Sequence, residues 1–148
     1  MSKTIVFNSD NKPTSTEKKN IINFLFENLQ EYTDPPSDIE KAINYALQET
    51  PSFGGFVLVS YLDNSIIGAV VINQTGMKDY IPENILVYIA IHHQQRGKGF
   101  GKKLVKEAIK IAEGNIALHV EPNNPARYLY EKLGFSSKYL EMRFNKKK

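Results

Sequence analysis

The chain contains no cysteine. That excludes disulfides, thiolate metal sites and an acyl-enzyme formed through sulfur, so covalent acyl transfer would need another nucleophile. No apolar run is long enough to span a bilayer, and Met1-Ser2-Lys3-Thr4 offers neither the apolar segment of a secretory leader nor a glycine for myristoylation. The expectation is a cytoplasmic protein without a membrane partner. Internal repeats and low-complexity stretches are also missing. At 148 residues and 41% hydrophobic content the chain can bury one core, which predicts a single domain over 1–148.

Charge of each sign is scarce in one region. Between Thr16 and Thr50 seven acids face three lysines, whereas from His92 onward thirteen lysines and arginines face five acids. An acidic segment beside a basic half suits a polyanionic ligand together with a cationic one. The formal charge of +3 does not point to nucleic acid, because no recognised module for it is present and three lysines of the excess sit in the terminal Lys146-Lys147-Lys148.

Patterning sets the order of elements. Thr4-Ile5-Val6-Phe7 reads as a strand. A helix announced by Pro13 and Thr16 carries Ile21, Ile22, Phe24, Leu25, Phe26 and Leu29 at helical spacing, until Thr33-Asp34-Pro35-Pro36 ends it. Ser37 or Asp38 can cap a second helix with Ile39, Ala42, Ile43, Ala46 and Leu47 on one face. Residues 56–62 and 66–72 form a hairpin around Asp63-Asn64-Ser65, and a polar excursion over 74–84 leads to the strand Ile85-Leu86-Val87-Tyr88-Ile89-Ala90-Ile91. After a glycine-rich turn, Leu104, Val105, Ala108, Ile109, Ile111 and Ala112 predict the buried stripe of a helix, with Lys106 and Lys110 solvated. Residues 116–120 and 138–144 read as two further strands, separated by a helix that Asn124 can cap and Gly134 can close.

The chemistry concentrates where the strand ending at Ile91 runs into Arg96-Gly97-Lys98-Gly99-Phe100-Gly101 and a helix. The first N–H groups of a helix lack intrahelical partners, and glycines let a ligand reach the backbone, so this arrangement suits a phosphate. A P-loop fails on spacing, since counting from Gly97 its second glycine would fall on Lys102; the dinucleotide fingerprint fails because Gly101 comes one place early.

Arg96-x-x-Gly99-x-Gly101 instead resembles the acyl-CoA-binding loop of the GNAT superfamily of N-acetyltransferases. Asn123-Asn124-Pro125-Ala126-Arg127-Tyr128-Leu129-Tyr130-Glu131-Lys132-Leu133-Gly134-Phe135 is similar to that family's second signature, Asn-x-x-Ala-x-x-Leu-Tyr-Glu-Lys-x-Gly-Phe. The likeness covers approximately residues 55–145. It implies an α/β (α+β) fold with a mixed, mainly antiparallel sheet of about six to seven strands flanked by about four helices.

The resemblance also implies a function: transfer of an acetyl group from acetyl-CoA to a primary amine by direct attack, with no acyl-enzyme. The fourth and fifth strands would part beside Ile91, letting Ile89, Ala90 and Ile91 line the pantetheine arm while an N–H near Ile91 stabilises the oxyanion. Arg96, Gly97, Lys98, Gly99, Phe100, Gly101 and Lys102 would hold the pyrophosphate, and Asn123 the pantetheine amide. Tyr130, a cofactor contact, aligns with the tyrosine that protonates the departing thiolate, while Tyr128 is expected to pack in the core. In the family's order, Glu31, Asp34 and Asp38 would lie beside the mouth for a small-molecule or peptide amine. Many members carry a catalytic glutamate on the fourth strand, where this chain has Ile85 and Leu86. Glu83 stands as the catalytic base, with Asp79, His119 and Glu121 as alternatives. No metal is expected: His119-x-Glu121 lacks the cysteines of a zinc deaminase, and adjacent His92 and His93 would face opposite ways on an extended chain. A non-catalytic acyl-CoA-binding or regulatory module is the alternative function, and homodimerisation stays open.

Overall fold

The computed structural model describes residues 2–146. The chain divides into two compact units, Met1–Leu118 and His119–Lys148.

In the first unit β1 (Ser2–Phe7) leads to α1 (Ser15–Asn28) and α2 (Pro36–Leu47), then β2 (Gly55–Leu62), β3 (Ser65–Gln74), β4 (Asn84–Ile91), α3 (Phe100–Ile111) and β5 (Ile116–Leu118). The strands form one sheet in sequential order. The first four are antiparallel, and β5 runs parallel to β4. The mixed, mainly antiparallel sheet matches the expectation, with five strands among the described residues rather than six or seven.

The start of α1 is set by a capping box, in which Thr14 Oγ1 accepts from the Glu17 amide at 3.1 Å and Glu17 Oε1 accepts from the Thr14 amide at 2.8 Å. Thr14 is therefore the cap. No side chain caps α2, where Pro35 and Pro36 set the entry instead of Ser37 or Asp38. The β2–β3 turn places Asp63 and Asn64 at φ 51° and 67°, residue types that tolerate the left-handed conformation of a tight hairpin.

Side chains alternate across the sheet and build two cores. Ile21, Leu25, Ile43 and Leu47 of α1 and α2 pack on Val57, Val59, Val71 and Ala90. Leu104 and Ala108 of α3 pack on Leu58, Val70, Ile72 and Leu86 of the other face. Gly68 allows α3 to sit close, because a Cβ there would come within 2.9 Å of Ile91 and 3.2 Å of Leu104. Ile109 and Ile111 lie on the solvent side of α3, exposed by 39% and 38%, so its buried stripe is narrower than the sequence suggests.

The second unit contains α4 (Ala126–Lys132). Asn124 Oδ1 accepts from the Ala126 amide at 2.9 Å, and the Phe135 amide donates to the Tyr130 carbonyl at 3.0 Å around Gly134, closing the helix in a Schellman-type turn. Beyond it, residues 138–144 form no strand, and Leu140, Met142 and Phe144 are almost fully exposed. Alternating apolar residues do not hold a strand without a ladder partner to offset backbone ordering.

Ile43 joins α2 to the sheet and is wholly buried. Ile43→Ala should cost about 2–5 kcal/mol. This should be seen as a lower urea midpoint at unchanged slope; a loss near zero would mean α2 is not part of the cooperative unit.

Candidate active site

The site begins with one extra residue in β4. Val71 faces Tyr88 while Ile72 faces Leu86, so Val87 is a β-bulge. Beyond it the His92 amide donates to the Ile67 carbonyl of β3 at 2.8 Å, and Ile91 pairs with Gly68. Since backbone groups alternate along a strand, the N–H groups of Ile89 and Ile91 point away from β3. On that side β5 pairs only with Asn84, Ile85 and Leu86. The strands therefore part after Leu86, earlier than the expected Ile91, leaving Ile89, Ala90 and Ile91 on an open half-strand.

The glycine loop follows directly. Gly97 and Gly99 have φ of 78° and 83°, and nothing stands within 4 Å of where a Cβ would lie on either, so their backbone is accessible. Gly99 is the N-cap of α3 and supplies no side-chain acceptor, which leaves the first helical amides, from Phe100 through Lys102, facing outward. Lys98 reaches Gln95 Oε1 at 3.4 Å, and Lys102, Lys106 and Lys110 are exposed. Arg96 does something else. Its Nε donates to the Ile91 carbonyl at 3.2 Å and its Nη2 to the Asn28 carbonyl at 2.7 Å, which clamps the loop to the negative end of α1.

On the opposite face of β4 the Tyr88 hydroxyl donates to Asp34 Oδ2 at 2.5 Å. Burial first, then this bond and the charges of Asp34 and Asp38, raise the phenol well above its ordinary range, so Tyr88 keeps its proton. This pairing was not foreseen, although Tyr88 is the one side chain with a polar atom between Ile85 and Ile91.

Glu83 stands at the other end of β4. Its Oε1 accepts from the Asn115 amide at 2.9 Å, and its side chain lies against Gly114, where a Cβ would meet it at 2.7 Å. The Asn115 hydrogen bond is the main cause holding the Glu83 carboxyl below its ordinary value. At about 3.3 Å per residue, Glu83 is roughly 20 Å along the strand from Ile89, which does not suit a base acting there. His92 and His93 stack at 4.4 Å instead of diverging, because the chain leaves the strand at His92 and enters a 3₁₀ turn. No group of three metal-binding side chains forms among the described residues.

In the second unit Asn123 lies exposed in a turn before α4. Tyr130 is buried, and its ring meets Phe135 edge-on at 5.8 Å. Burial pushes its phenol up to about 12, so the hydroxyl carries a proton at neutral pH. Tyr128, expected in the core, is 65% exposed. Tyr130 takes the inward position because it lies two residues on around a seven-residue helix.

Comparison with known proteins gives one consistent likeness. The family model for the acetyltransferase (GNAT) family matches residues 20–135. No curated protein matches the sequence. Among solved structures, an aminoglycoside acetyltransferase from an uncultured soil metagenomic sample is 15% identical, with 99% of each chain covered and a TM-score of 0.69. A ribosomal-protein-alanine N-acetyltransferase from Brucella melitensis biovar Abortus is 18% identical over 98% of this chain and 99% of its own, with a TM-score of 0.64. The aminoglycoside N-acetyltransferase AAC(6')-Iy, solved with CoA, is 16% identical over 99% and 95%, with a TM-score of 0.68. At these identities the structures show a shared fold.

Glu83 yields a pH test. A carboxyl held below its unfolded pKa contributes stability above that pKa and loses it as pH falls through the folded value. Wild type should therefore melt above Glu83→Gln at neutral pH, with the gap closing as pH drops below the ordinary carboxylate range. A gap that persists at low pH would show that the carboxylate charge is not what holds Asn115.

Proposed function

Because the chain belongs to the GNAT family of acetyltransferases, we propose that it transfers an acetyl group from acetyl-CoA to a small-molecule or peptide amine by direct attack, with no acyl-enzyme. One observation carries this reading: the Val87 bulge, which turns the Ile89 and Ile91 amides onto the half of β4 that β5 leaves open. The family match runs from residue 20 to residue 135 and so includes parts of both units, which supports reading 1–148 as one functional domain.

The residues present fit the donor. Bound acetyl-CoA supplies an activated thioester. The free edge of Ile89, Ala90 and Ile91 offers its pantetheine amides a strand-like partner, and Asn123 is assigned to the same arm from the second motif. Gly97, Gly99, Phe100 and Gly101 present backbone to the pyrophosphate, and Lys98 and Lys102 add charge. Arg96 contributes by fixing the loop. Amides at Ile89 and Ile91 are donors whose strand geometry is set before substrate arrives, and one of them would stabilise charge growing on the acyl oxygen. Tyr130, kept protonated by burial, is placed by its motif to return a proton to the leaving sulfur.

The open half of β4 carries no acid, since residues 86–91 read Leu-Val-Tyr-Ile-Ala-Ile. We assign loss of the ammonium proton to water, in place of Glu83. The same gap is the observation favouring a non-catalytic acyl-CoA-binding module. A thiol-release assay over a panel of amines separates the two: release that depends on the amine supports transfer, and donor binding without release supports the module.

Two substitutions test the parts. Acetyl-CoA at a hundredfold excess over its Kd should stabilise wild type by about 2.7 kcal/mol. Gly99→Val should abolish that gain, at a cost to the apo protein of about 1–2 kcal/mol for a side chain in the left-handed region; a retained thermal shift would reject the loop assignment. Tyr130→Phe should keep fold and donor affinity while lowering turnover by about 10²–10⁴. Wild-type turnover where chemistry limits the rate would remove Tyr130 from the reaction.

A further inference from the structure

A groove of about 710 Å³ lies between α1 and the region of the sheet where β1 begins, β2 ends and β3 starts. Its size falls within the roughly 300–1,000 Å³ usual for small-molecule sites. None of Ile89, Ala90, Ile91 or the glycine loop lines it. Its floor is apolar: Phe24 of α1 is buried, and Ile5, Tyr61 and Ile66 pack against the core while remaining partly exposed. One end is bounded by His92 and His93, stacked at 4.4 Å. The wall is fixed before any ligand arrives, because the capping box holds the start of α1 and Arg96 holds the Asn28 carbonyl at its end.

The polar lining decides what fits. Its charges are of both signs, and Glu17 is already engaged, since its Oε1 accepts from the Thr14 amide at 2.8 Å. The uncharged groups are more numerous: the exposed carboxamides of Asn20, Asn23 and Asn64, with the hydroxyls of Ser65 and Tyr61. Burial first, then the charge of Glu17, raises the Tyr61 phenol, so its hydroxyl stays a donor. His92 Nδ1 accepts from the Gln94 amide at 3.2 Å, which leaves the Nε2–H to donate. A carboxamide carries donors and an acceptor on one group, as a sugar hydroxyl does, whereas an ionic ligand asks for charge of one sign. The C–H face of a pyranose ring matches an aromatic and aliphatic floor.

We propose that this groove binds a neutral sugar of one or two rings, and that its occupancy is transmitted to the donor loop. The path is short. Asn28 lines the groove and its carbonyl accepts from Arg96 Nη2 at 2.7 Å, while the histidine pair lines the groove and leads through a 3₁₀ turn into Arg96. A ligand touching both α1 and the histidines spans the clamp that fixes the loop, and holds it more firmly. The coupling rests on the assignment of that loop to the donor; the sugar site does not.

Amide NMR of the whole chain, titrated with maltose at millimolar concentrations, should show saturable shifts at Asn20, Asn23, Asn64 and His92. Asn20→Ala, at an exposed helix position, and Tyr61→Phe, which keeps the ring, should each weaken maltose by roughly three- to tenfold while melting close to wild type. Shifts from glucosamine with none from maltose would assign the groove to cations and overturn the proposal. Equal shifts from glycerol, or wild-type maltose affinity in both variants, would overturn it as well. Saturating maltose should tighten CoA by about fivefold, and by linkage CoA should tighten maltose by the same factor. An unchanged CoA constant beside intact maltose shifts would overturn the coupling, whereas no CoA binding at all beside those shifts would reject the loop assignment and sustain the sugar site.

Discussion

The bulge at Val87 is the constraint on which the rest depends. A strand has a period of two, so one extra residue exchanges every later side chain and backbone group between faces and edges. Before the bulge, Leu86 packs toward α3 and β4 pairs with β5. After it, Tyr88 and Ala90 face α1 and α2, while the Ile89 and Ile91 amides face the edge that β5 has left. The irregularity is tolerated because β2 and β3, buried on both faces, hold the centre of the sheet independently of it.

The loop after β4 is fixed by two features. Arg96 bridges the last carbonyl of β4 and the last of α1, so the strand end and helix end share one cation. Gly68 lets α3 settle against Ile91. A loop fixed at both ends gives its amides defined directions, and preorganised donors stabilise developing charge without reorganising during reaction. The motif arginine is thus engaged by two main-chain carbonyls.

The legible parts were those encoded locally. The hairpin at Asp63-Asn64, the glycine loop and both helix-rich segments follow from spacing and turn chemistry, and the structure places them within a few residues. What could not be read depends on partners distant in sequence. The 138–144 stretch has the pattern of a strand and no ladder to join. Glu83 has the chemistry of a base, yet it meets Asn115, thirty-two residues away, at the wrong end of β4. Tyr128 and Tyr130 lie two residues apart, and helix phase decides which is buried. Tyr88 could bond Asp34 only once the bulge had turned it, and a bulge leaves no residue signature in a run of β-formers.

The charge asymmetry acquires a spatial meaning from this geometry. The acids of residues 16–50 lie on or beside the two helices packed against one face of the sheet, and the lysines after His92 begin with Lys98 in the glycine loop and continue along α3, which packs on the other face. The open half of β4 lies between them, with the glycine loop and first turn of α3 just past its end and Asp34 tethered near its start through Tyr88. A polyanion at the loop would be attracted by the basic end and repelled by the acids at the other. Screening at physiological ionic strength cuts such fields off at about 8 Å, so discrimination operates only at close range. Ligands bound there would then be oriented by the protein's fixed charges as well as by shape.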